Sequence, residues 1–368
     1  MSIKTNLGLV YLLLPYISPV KNKFGLAISI IFNFSKYKLK LKDNLTLTFK
    51  SSEFEIMLNL LGVLTLAISY SIKSKTEISF TFDTENHFFI NTANLSYSDQ
   101  NLLELLFLGI KYGANFVTNK NLNLADCRDK TIRILDDNGK KIVETSDGIK
   151  FFLDSMHPGN TIIETYVRNI HNINSNHDYS GQIIIDVGAE CGDTPLYYAN
   201  KGAKVYAFEP IPEHFDAMLK NIELNPHLSE RIIPINSGIG KDGNLTFYQS
   251  QSGIVGNTSF VTNLHGGDAK KITAKCYSIK SVLEEFKIEH VDLLKMDCKG
   301  CETFLTKEDL EKIYSIKIEY FSSFENKNTL QDMLNILENV GFNCMTYSGS
   351  PDYHNSLLHG TNIFGKKL

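Results

Sequence analysis

An apolar run that ends in a glycine-rich turn constrains the fold of this chain more than any other feature. Residues 183–187 read Ile-Ile-Ile-Asp-Val, and Gly188 and Gly192 frame the turn that follows. A run this apolar is typical of a strand buried on both faces of a parallel sheet. The two glycines permit a tight turn and a close approach of ligand to backbone. Residues 193–201 fit a short helix, so we predict a strand, a turn and a helix whose free N–H groups face a ligand.

Strands and helices alternate through the rest of the second half. One amphipathic helix, residues 213–224, places an apolar stripe on one side, formed by Phe215, Met218, Leu219 and Ile222. A further helix is predicted at 161–173 and a linker at 174–181. The pattern indicates an α/β domain over residues 151–368, with a mostly parallel sheet and helices on both faces. Its strands are predicted at 183–187, 204–208, 231–235, 245–249, 272–277, 291–296, 315–321, 342–347 and 362–366.

Residues 1–150 follow a different pattern and predict a mixed α/β region of unknown role. Alternating residues around Asp43-Asn44 predict a hairpin, and Asp137-Asn138-Gly139 predicts a second one. Residues 53–72 are predicted to form a buried helix, and Ser98 is predicted to cap the next helix. We find no chemical motif in this half.

Composition narrows the classes of protein further. The formal charge of −4 argues against a general nucleic-acid binder, although a local basic patch is compatible with that total. Six scattered cysteines in 368 residues predict a reducing, cytoplasmic setting rather than a disulfide scaffold. The apolar runs 7–20 and 56–72 are interrupted by prolines or polar residues, so neither is predicted to span a membrane. No small-residue cleavage site follows the first run, so no signal peptide is predicted.

Acidic residues around the turn indicate the kind of cofactor. Glu209 ends the next predicted strand, 21 residues after Gly188 (209 − 188), where an acid can accept hydrogen bonds from a ribose diol. The turn itself carries Asp186, Glu190 and Asp193. These acids would repel a pyrophosphate but suit a ligand with an ammonium and a sulfonium group. S-Adenosylmethionine is therefore favoured over NAD.

Four segments then resemble the FkbM family of S-adenosylmethionine-dependent methyltransferases. They read D-V-G-A-E-C-G-D-T (186–194), V-Y-A-F-E-P-I-P-E-H-F (205–215), I-N-S-G-I-G-K-D-G (235–243) and V-D-L-L-K-M-D-C-K-G-C-E (291–302). The resemblance covers roughly residues 150–368. It implies a class I methyltransferase with a Rossmann-like fold. It also implies methyl transfer to a hydroxyl oxygen of a small-molecule or glycan substrate, such as a sugar or polyketide.

Together, the turn and the resemblance predict a cofactor site and leave the acceptor side less defined. The resemblance places Asp297 opposite the methyl group, and it matches Glu302 and Glu319 to family acids. Three positions depart from the family pattern, namely Lys280, Lys299 and Phe321. The predicted cofactor-binding residues are Asp186, Gly188, Glu190, Gly192, Thr194, Glu209, Pro210, Asn236, Ser237 and Asp297.

Three residues are candidates for catalysis, each with a structural alternative. Asp297 is the candidate general base, or it only orients the cofactor or caps the next turn. Lys295 lies two residues earlier on the same strand face and could lower a nearby pKa, or it is a surface lysine. His265 lies in the glycine-containing loop 253–268 and could act as a base, or it is an exposed loop histidine.

Cys298 and Cys301 form a C-x-x-C sequence without a second pair at a suitable spacing. A structural zinc site normally needs four ligands, so we predict no metal site. A redox role is conceivable for such a pair, but two small residues on a tight turn are the favoured interpretation.

Two alternative functions remain open, and membrane attachment through residues 7–20 or 56–72 is a third, weaker alternative. The departures from the family pattern suggest a protein that binds S-adenosylmethionine but has lost or altered catalysis. An NAD-dependent oxidoreductase is the second alternative, because its nucleotide would use the same strand, turn and ribose acid. The sequence does not define the oligomeric state.

Overall fold

A computed structural model describes most of the chain, namely residues 3–74, 77–82, 86–93, 95–124, 127, 130–137, 139–170, 177–249, 258–259, 269–321, 330–348 and 360–367. The chain divides into two compact units. The first comprises Met1–Gly148 and Phe152–Asp154, and the second comprises Ile149–Phe151 and Ser155–Leu368. No helix in the described ranges is both long enough and apolar enough to cross a membrane.

The first unit combines helices with small sheets. Its helices are α1 (Ile3–Leu13), α2 (Lys23–Ile31), α3 (Phe54–Leu66) and α4 (Tyr97–Lys111). Its strands are β1 (Lys36–Lys40), β2 (Thr46–Lys50), β3 (Ser69–Ser74), β4 (Glu77–Thr81), β5 (His87–Asn91), β6 (Asn115–Val117), β7 (Thr131–Asp137) and β8 (Lys140–Glu144), and β9 (Lys150–Phe152) lies where the units divide. Strands β1 and β2 form a hairpin, β3–β5 form an antiparallel sheet, and β7 pairs with both β6 and β8.

Both predicted hairpins of the first unit are confirmed, but two helix boundaries differ from the prediction. Helix α3 ends at Leu66, and the predicted helical residues up to 72 instead begin β3, in which Tyr70 pairs with Phe80. Tyr70 and Ile72 belong to the residue types that are enriched in strands. Ser96 rather than Ser98 caps α4, because Ser96 Oγ accepts from Asp99 N at 3.1 Å. That bond requires a residue three positions after the cap.

The second unit holds the alternating elements that the sequence predicts. Its helices are a π-helix (Gly159–Arg168), α5 (Asp193–Asn200), α6 (Pro212–Glu223), α7 (Ile279–Glu285), α8 (Lys307–Leu310) and α9 (Leu330–Asn339). Its strands are β10 (Ile183–Val187), β11 (Lys204–Phe208), β12 (Ile232–Ile235), β13 (Gly238–Ile239), β14 (Gly243–Gln249), β15 (Thr258–Ser259), β16 (Lys270–Tyr277), β17 (Val291–Met296), β18 (Ile313–Phe321), β19 (Phe342–Ser348) and β20 (Gly360–Lys367).

One large sheet organises the second unit and confirms the predicted mostly parallel architecture. Its strand order is β12-β11-β10-β17-β18-β20-β19. The five strands from β12 to β18 are mutually parallel, and β20 and β19 add antiparallel pairing at one edge. Ile184–Val187 of β10 are buried on both faces, as the apolar run predicts. The carboxyl ends of the parallel strands therefore meet at one edge, where ligands of such sheets bind.

The helix predicted at 161–173 is a π-helix over Gly159–Arg168. Asn169 ends it in the left-handed conformation with φ 54°, and Ile163 N donates to Pro158 O at 2.9 Å, a five-residue step. The apolar spacing alone does not distinguish this winding from an α-helix, so the sequence predicted a helix without its type, and the helix ends five residues earlier than predicted. π-Helical turns are rare and occur frequently at functional sites. Residues 171–176, which include part of the predicted linker, lie outside the described ranges.

Candidate active site

Two rows of ionisable side chains lie on one face of the central strands, an inner row of Asp186, Lys295 and Lys317 and an outer row of Asp297 and Glu319. Asp186 of β10 pairs with Lys295 of β17, and Lys295 pairs with Lys317 of β18. Side chains two residues apart share a face, so Asp297 and Glu319 extend the same face toward the carboxyl ends of the strands. The parallel register therefore brings the predicted Asp186, Lys295 and Asp297 together with two further residues.

The inner row is held by a buried ion pair. Lys295 Nζ lies 2.9 Å from Asp186 Oδ1, and the two residues are 3% and 0% exposed. Burial raises the pKa of Asp186, although the Lys295 charge opposes that rise. Burial lowers the pKa of Lys295, but the charges of Asp186, Asp297 and Asp193 together outweigh burial and raise the pKa overall. The surface-lysine alternative for Lys295 is therefore wrong, because this ammonium is buried and paired.

The same pair reaches into the glycine-rich turn. The Thr194 hydroxyl donates to Asp186 Oδ2, and Lys295 Nζ donates to Thr194 Oγ1 at 3.3 Å and to Gly188 O at 3.4 Å. Thr194 lies in the first turn of α5. Asp186, Lys295 and Thr194 thus fix the end of β10, the turn and the start of the helix as one unit.

Left-handed backbone conformations shape the turn. Gly188, Glu190 and Gly192 have φ values of 78°, 46° and 88°. A Cβ atom at Gly188 would collide with the carbonyl oxygen of Asp297. Gly188 is therefore required for two reasons, its φ and the close approach of the β17 end.

Glu209 joins the turn to the end of β11. Its Oε2 accepts from Glu190 N at 2.9 Å, and its Oε1 accepts from Ile211 N at 2.9 Å. His214 Nδ1 lies 3.6 Å from Glu209 Oε1. Burial lowers the pKa of His214, but its interaction with Glu209 and the charges of Glu190 and Glu213 together raise the pKa overall. Sequence reasoning missed His214, whose position in the first turn of α6, five residues after Glu209, is the one signal for it.

Glu190 offers an unfilled acceptor beside this turn. Its Oε1 is buried and finds no hydrogen-bond partner among the described residues. Burial, together with the charges of Asp193 and Glu209, raises the pKa of Glu190 to about 7. A buried carboxylate oxygen without a partner is unfavourable, so a cationic or donor group from a ligand would stabilise it.

Side chains of the π-helix hydrogen-bond to the first residue of α5. Thr165 Oγ1 donates to Asp193 Oδ2 at 2.6 Å, and the Tyr166 hydroxyl donates to Asp193 O at 2.8 Å. Burial raises the pKa of Asp193 to about 6. Asp193 therefore connects two helices, a role that the sequence does not reveal because its partners lie 27 and 28 residues earlier in the chain.

The residues predicted to contact adenosine lie beside Glu209. Asn236 is exposed, and its Nδ2 donates to Glu209 O at 2.9 Å. Ser237 is buried, and its N–H donates to Ile235 O at 2.8 Å. Pro210 is half-buried directly after Glu209. His265 and most of the loop 253–268 lie outside the described residues.

The outer row contains a pair of interacting carboxyl groups. Glu319 and Asp297 share a side-chain hydrogen bond. The Asp297 charge, burial and this hydrogen bond raise the pKa of Glu319 to about 8. Two carboxyl groups this close cannot both ionise readily, so they titrate as a coupled pair. Such a pair can hold one proton and accept a second from a bound hydroxyl.

Three more ionisable groups surround the carboxyl pair, and sequence reasoning did not place any of them there. Burial lowers the pKa of Lys299, but the charges of Asp297 and Glu319 raise it overall. Burial and the charges of Glu319 and Asp297 raise the pKa of Glu164, in the π-helix, well above its usual range. Burial and the Lys299 charge lower the pKa of His157 to about 4, which keeps its ring neutral.

Lys317 is a buried amine beneath this pair. It is 4% exposed, and its Nζ has no hydrogen-bond partner within the described part of the chain. Burial, and then the neighbouring charge of Lys295, lower the pKa of Lys317 well below its usual range. The alternating sequence Ile-Lys-Ile-Glu at 316–319 places Lys317 and Glu319 on one face and could have revealed both.

The C-x-x-C sequence closes a small loop directly after Asp297. Cys298 and Cys301 lie on a tight turn after β17, as predicted, and in addition form a disulfide with their Cα atoms 5.6 Å apart. Inside the loop, Lys299 has φ 51°, and Gly300 N donates to Glu302 Oε2 at 2.7 Å. The side chains of Cys298, Cys301 and Glu302 lie within 4.8 Å of one another, but disulfide sulfurs are not thiolate ligands.

The positions that depart from the family pattern lie in different surroundings. Lys299 lies among the acids of the outer row, whereas Lys280 is exposed on α7 and its N–H donates to Asp309 Oδ1 at 3.0 Å. The side chain of Phe321 lies outside the described residues. Of the three departures, Lys299 is the one whose charge acts on Asp297 and Glu319.

Comparisons with known proteins agree with the resemblance seen in the sequence. Residues 186–344 match the family model described as "Methyltransferase FkbM domain". The curated Methyltransferase sdnD of Sordaria araneosa is 26% identical over 199 residues, which cover 44% of this chain and 74% of that protein.

Solved structures of methyltransferases also resemble the chain. Methyltransferase FkbM from Methylobacillus flagellatus aligns with a TM-score of 0.34 and 15% identity over 50% of this chain and 43% of that chain, less than half of its length. A Streptococcus mutans methyltransferase in complex with SAH aligns with a TM-score of 0.33 and 12% identity over 54% of this chain and 97% of that chain.

Proposed function

We propose that this chain, a methyltransferase whose residues 186–344 form an FkbM methyltransferase domain, transfers a methyl group from S-adenosylmethionine to a hydroxyl oxygen. The observation that carries the proposal is the placement of the Asp297–Glu319 pair at the carboxyl ends of β17 and β18, next to the glycine-rich turn of β10. A nucleoside site and a proton acceptor thereby share one edge of the sheet. The methyltransferase domain extends over residues 151–368 in this proposal.

The residues around the turn fit S-adenosylmethionine, which when bound would supply a methyl group on a sulfonium. Glu209 would accept hydrogen bonds from the ribose diol. Pro210, Asn236 and Ser237 would line the adenosine end. Glu190, with its unfilled acceptor oxygen, would receive the ammonium group.

The remaining cofactor residues act through the backbone or from beneath the turn. Gly188 and Gly192 give the turn its left-handed conformation and let the ligand approach. Asp186 has no exposed surface and Thr194 is 1% exposed, so we assign both residues an indirect role. They hold the turn in place through Lys295, which is a positioning residue in this proposal rather than an acid or a base.

The outer row supplies the proton acceptor. A hydroxyl acceptor loses its proton as the new carbon–oxygen bond forms and the bond between sulfur and the methyl carbon breaks, and a general base assists the loss of the proton. The Asp297 carboxylate would take this proton, while Glu319 shares a hydrogen bond with it. Methyl transfer also depends on holding donor and acceptor in line, which a rigid pair of strand ends favours.

The acceptor is proposed to be a sugar, a glycan or a small metabolite with a free hydroxyl. Support comes from the family resemblance and from a carboxyl pair suited to deprotonating a hydroxyl. Lys299 supports a rival, a protein that binds the cofactor with lost or altered catalysis, because it places an ammonium beside the proposed base. A cation there would lower the basicity of Asp297.

The proposal is tested by incubating the purified chain with methyl-labelled S-adenosylmethionine and a panel of hydroxylated sugars, glycans and metabolites. We expect label in a product that survives mild alkali, because methyl ethers resist alkaline hydrolysis whereas methyl esters do not. Asp297→Asn should lower the rate by roughly 10²–10⁴-fold, whereas Asp216→Asn, an exposed aspartate of α6, should not change it. Binding of the cofactor without transfer to any acceptor class would favour the rival.

A further inference from the structure

The first unit carries a surface whose charge is opposite to that of the whole chain. Residues 1–52 contain eight lysines, no arginine and a single acidic residue, Asp43, in a chain with a formal charge of −4. An uneven distribution of this kind indicates a surface for a negatively charged partner. Seven of these lysines have exposed side chains, at positions 21, 23, 36, 38, 40, 42 and 50.

The β1–β2 hairpin presents many of these lysines on one face. Along β1 the buried side chains Tyr37 and Leu39 alternate with exposed lysines. The register of the hairpin places Lys50 and two exposed threonines opposite them. The outer face of β1 and β2 consists of Lys36, Lys38, Lys40, Thr46, Thr48 and Lys50. None of these residues is acidic, and the acid nearest to them after β2 is Glu53, whose Oε1 lies 3.9 Å from Lys50 Nζ.

The segment before α2 extends this cationic face. Lys21 N donates to Lys40 O at 2.7 Å, and Lys42 N donates to Pro19 O at 3.0 Å. The Asn22 side chain also bonds to the β1 backbone, with both distances at 2.8 Å. The lysines on either side of Asn22 therefore adjoin those of β1.

Exposed apolar side chains lie within the same segment. Half of the large apolar side chains that are exposed in the described part of the chain fall within residues 7–34. Phe24 is 80% exposed two residues after Asn22, and Phe34 is 52% exposed two residues before Lys36. Asn6 Nδ2 donates to Ile31 O at 3.0 Å, which ties α1 to α2. The apolar residues are Leu7, Tyr11, Leu12, Leu14, Phe24, Phe32 and Phe34.

We propose that this lysine and apolar surface, formed by α1, α2 and the β1–β2 hairpin, docks on an anionic lipid bilayer. Lysines attract an anionic headgroup layer, and leucine and aromatic side chains insert at the boundary of headgroups and acyl chains. A nucleic acid explains the surface less well, because exposed leucines gain nothing from phosphates. The segment also lacks arginine, the residue best suited to bidentate recognition of phosphates and bases.

The lysines and the apolar side chains should each contribute to binding, and the two contributions should differ in their dependence on salt concentration. The lysine contribution is roughly fivefold per lysine near an anionic surface and weakens as salt screens the charges. The apolar contribution does not depend on lipid charge. The inference does not rest on methyl transfer, since the residues that carry it all belong to the first unit.

Sedimentation of the full chain with vesicles tests the proposal. The vesicles are phosphatidylcholine alone or phosphatidylcholine with about one third phosphatidylserine. The variants are Lys36→Glu/Lys38→Glu/Lys40→Glu and Phe24→Ser/Phe34→Ser. The matched control is Lys220→Glu/Lys287→Glu/Lys312→Glu, which changes exposed lysines of the second unit. Circular dichroism and thermal melting verify that each variant is folded.

We expect the wild-type chain and the control to sediment with the anionic vesicles and not with phosphatidylcholine alone. The triple lysine variant should lose at least tenfold in affinity, and the phenylalanine variant should bind more weakly at every salt concentration. Absence of wild-type binding, or equal binding of the triple lysine variant and the control, would overturn the proposal. Binding to single-stranded polyuridylate but not to the vesicles would assign the surface to nucleic acid instead.

Discussion

At the scale of single residues, the carboxyl pair at the end of β17 and β18 is the most informative part of the site. Asp297 was predicted as a candidate base from the sequence, whereas its partner Glu319 was only matched to a family acid. Their shared hydrogen bond changes the role of both, because the proton affinity of one depends on the charge of the other.

The raised pKa of Glu319 predicts how the rate depends on pH. Glu319 is protonated below about pH 8 and ionised above it, since the Asp297 charge, burial and their hydrogen bond raise its pKa to about 8. Ionisation of Glu319 makes Asp297 a stronger base, so kcat should rise as the pH increases through about 8. In Glu319→Gln the amide cannot ionise, and this rise should be absent. The control Glu289→Gln changes an exposed residue and should keep it.

Glu319 also predicts how stability depends on pH. Its pKa is higher in the folded than in the unfolded chain, so the folded state binds the proton more tightly. Its contribution to the free energy of unfolding is therefore lost as the pH rises from about 4.3, the unfolded value, toward about 8. Relative to wild type, Glu319→Gln should become more stable across that range in urea denaturation. A constant difference between the two proteins from pH 5 to pH 8 would contradict the assigned pKa.

Lys295 is predicted to support the fold rather than the chemistry. Replacing it by methionine leaves the Asp186 carboxylate buried without its counter-charge, which typically lowers the free energy of unfolding by about 3–5 kcal/mol. Lys312→Met, at an exposed position, is the matched control. Asp186→Asn combined with Lys295→Met should recover part of the loss in urea denaturation. A loss below about 1 kcal/mol in the single variant would mean that the pair does not stabilise the fold.

At the scale of elements, the turn between β10 and α5 is where sequence and structure agree best. Its glycines, its buried strand and Glu209 all lie within about thirty residues, so local spacing was enough to place them. The acceptor side is assembled from distant segments, because Glu164 comes from the π-helix and Glu319 from β18. A single sequence shows which strands exist but not which side chains from separate segments meet, and this is why Glu164, His157 and Lys317 were not predicted at the site.

The predicted boundaries of several elements differ from the observed ones for local reasons. Residues 67–72 continue the apolar character of α3, and hydrophobicity alone favoured a longer helix. The cap of α4 depended on which serine has an acid three residues later, and Ser96 with Asp99 meets that condition. The short apolar pattern of residues 159–168 is compatible with both a π-helix and an α-helix, which differ in their hydrogen bonds.

Gly188 tests the geometry of the turn at this scale. Gly188→Ala places a Cβ against the Asp297 carbonyl oxygen, at φ 78°. Gly181→Ala is a close match, because Gly181 has φ 76° with no atom within 4 Å of such a Cβ. In the control, the left-handed backbone conformation should lower the free energy of unfolding by about 1–2 kcal/mol. In Gly188→Ala, the collision should lower the free energy of unfolding by about 1–3 kcal/mol more. Equal losses in urea denaturation would show that the β17 end does not crowd the turn.

At the scale of the whole molecule, charge is distributed unevenly. The lysine-rich surface lies in the first unit, whereas the buried ionisable rows lie in the second. The net charge of −4 does not indicate the lysine-rich surface, because acids elsewhere in the chain offset the lysines of residues 1–52. A total charge therefore excludes a generally basic protein but says little about one unit of it.

Calorimetric titration of S-adenosylmethionine into the full chain tests the central claim most directly, with Glu209→Gln and the exposed control Glu230→Gln measured beside the wild type. We predict binding to the wild type and the control with equal affinity. Binding to Glu209→Gln should be weaker by roughly tenfold or more, because hydrogen bonds to a charged group contribute about 1.5–3 kcal/mol each. NAD should give no heat in the same cell. Equal affinity in all three proteins, or binding of NAD without binding of S-adenosylmethionine, would contradict the assignment of the turn between Asp186 and Gly192 as the methyl-donor site.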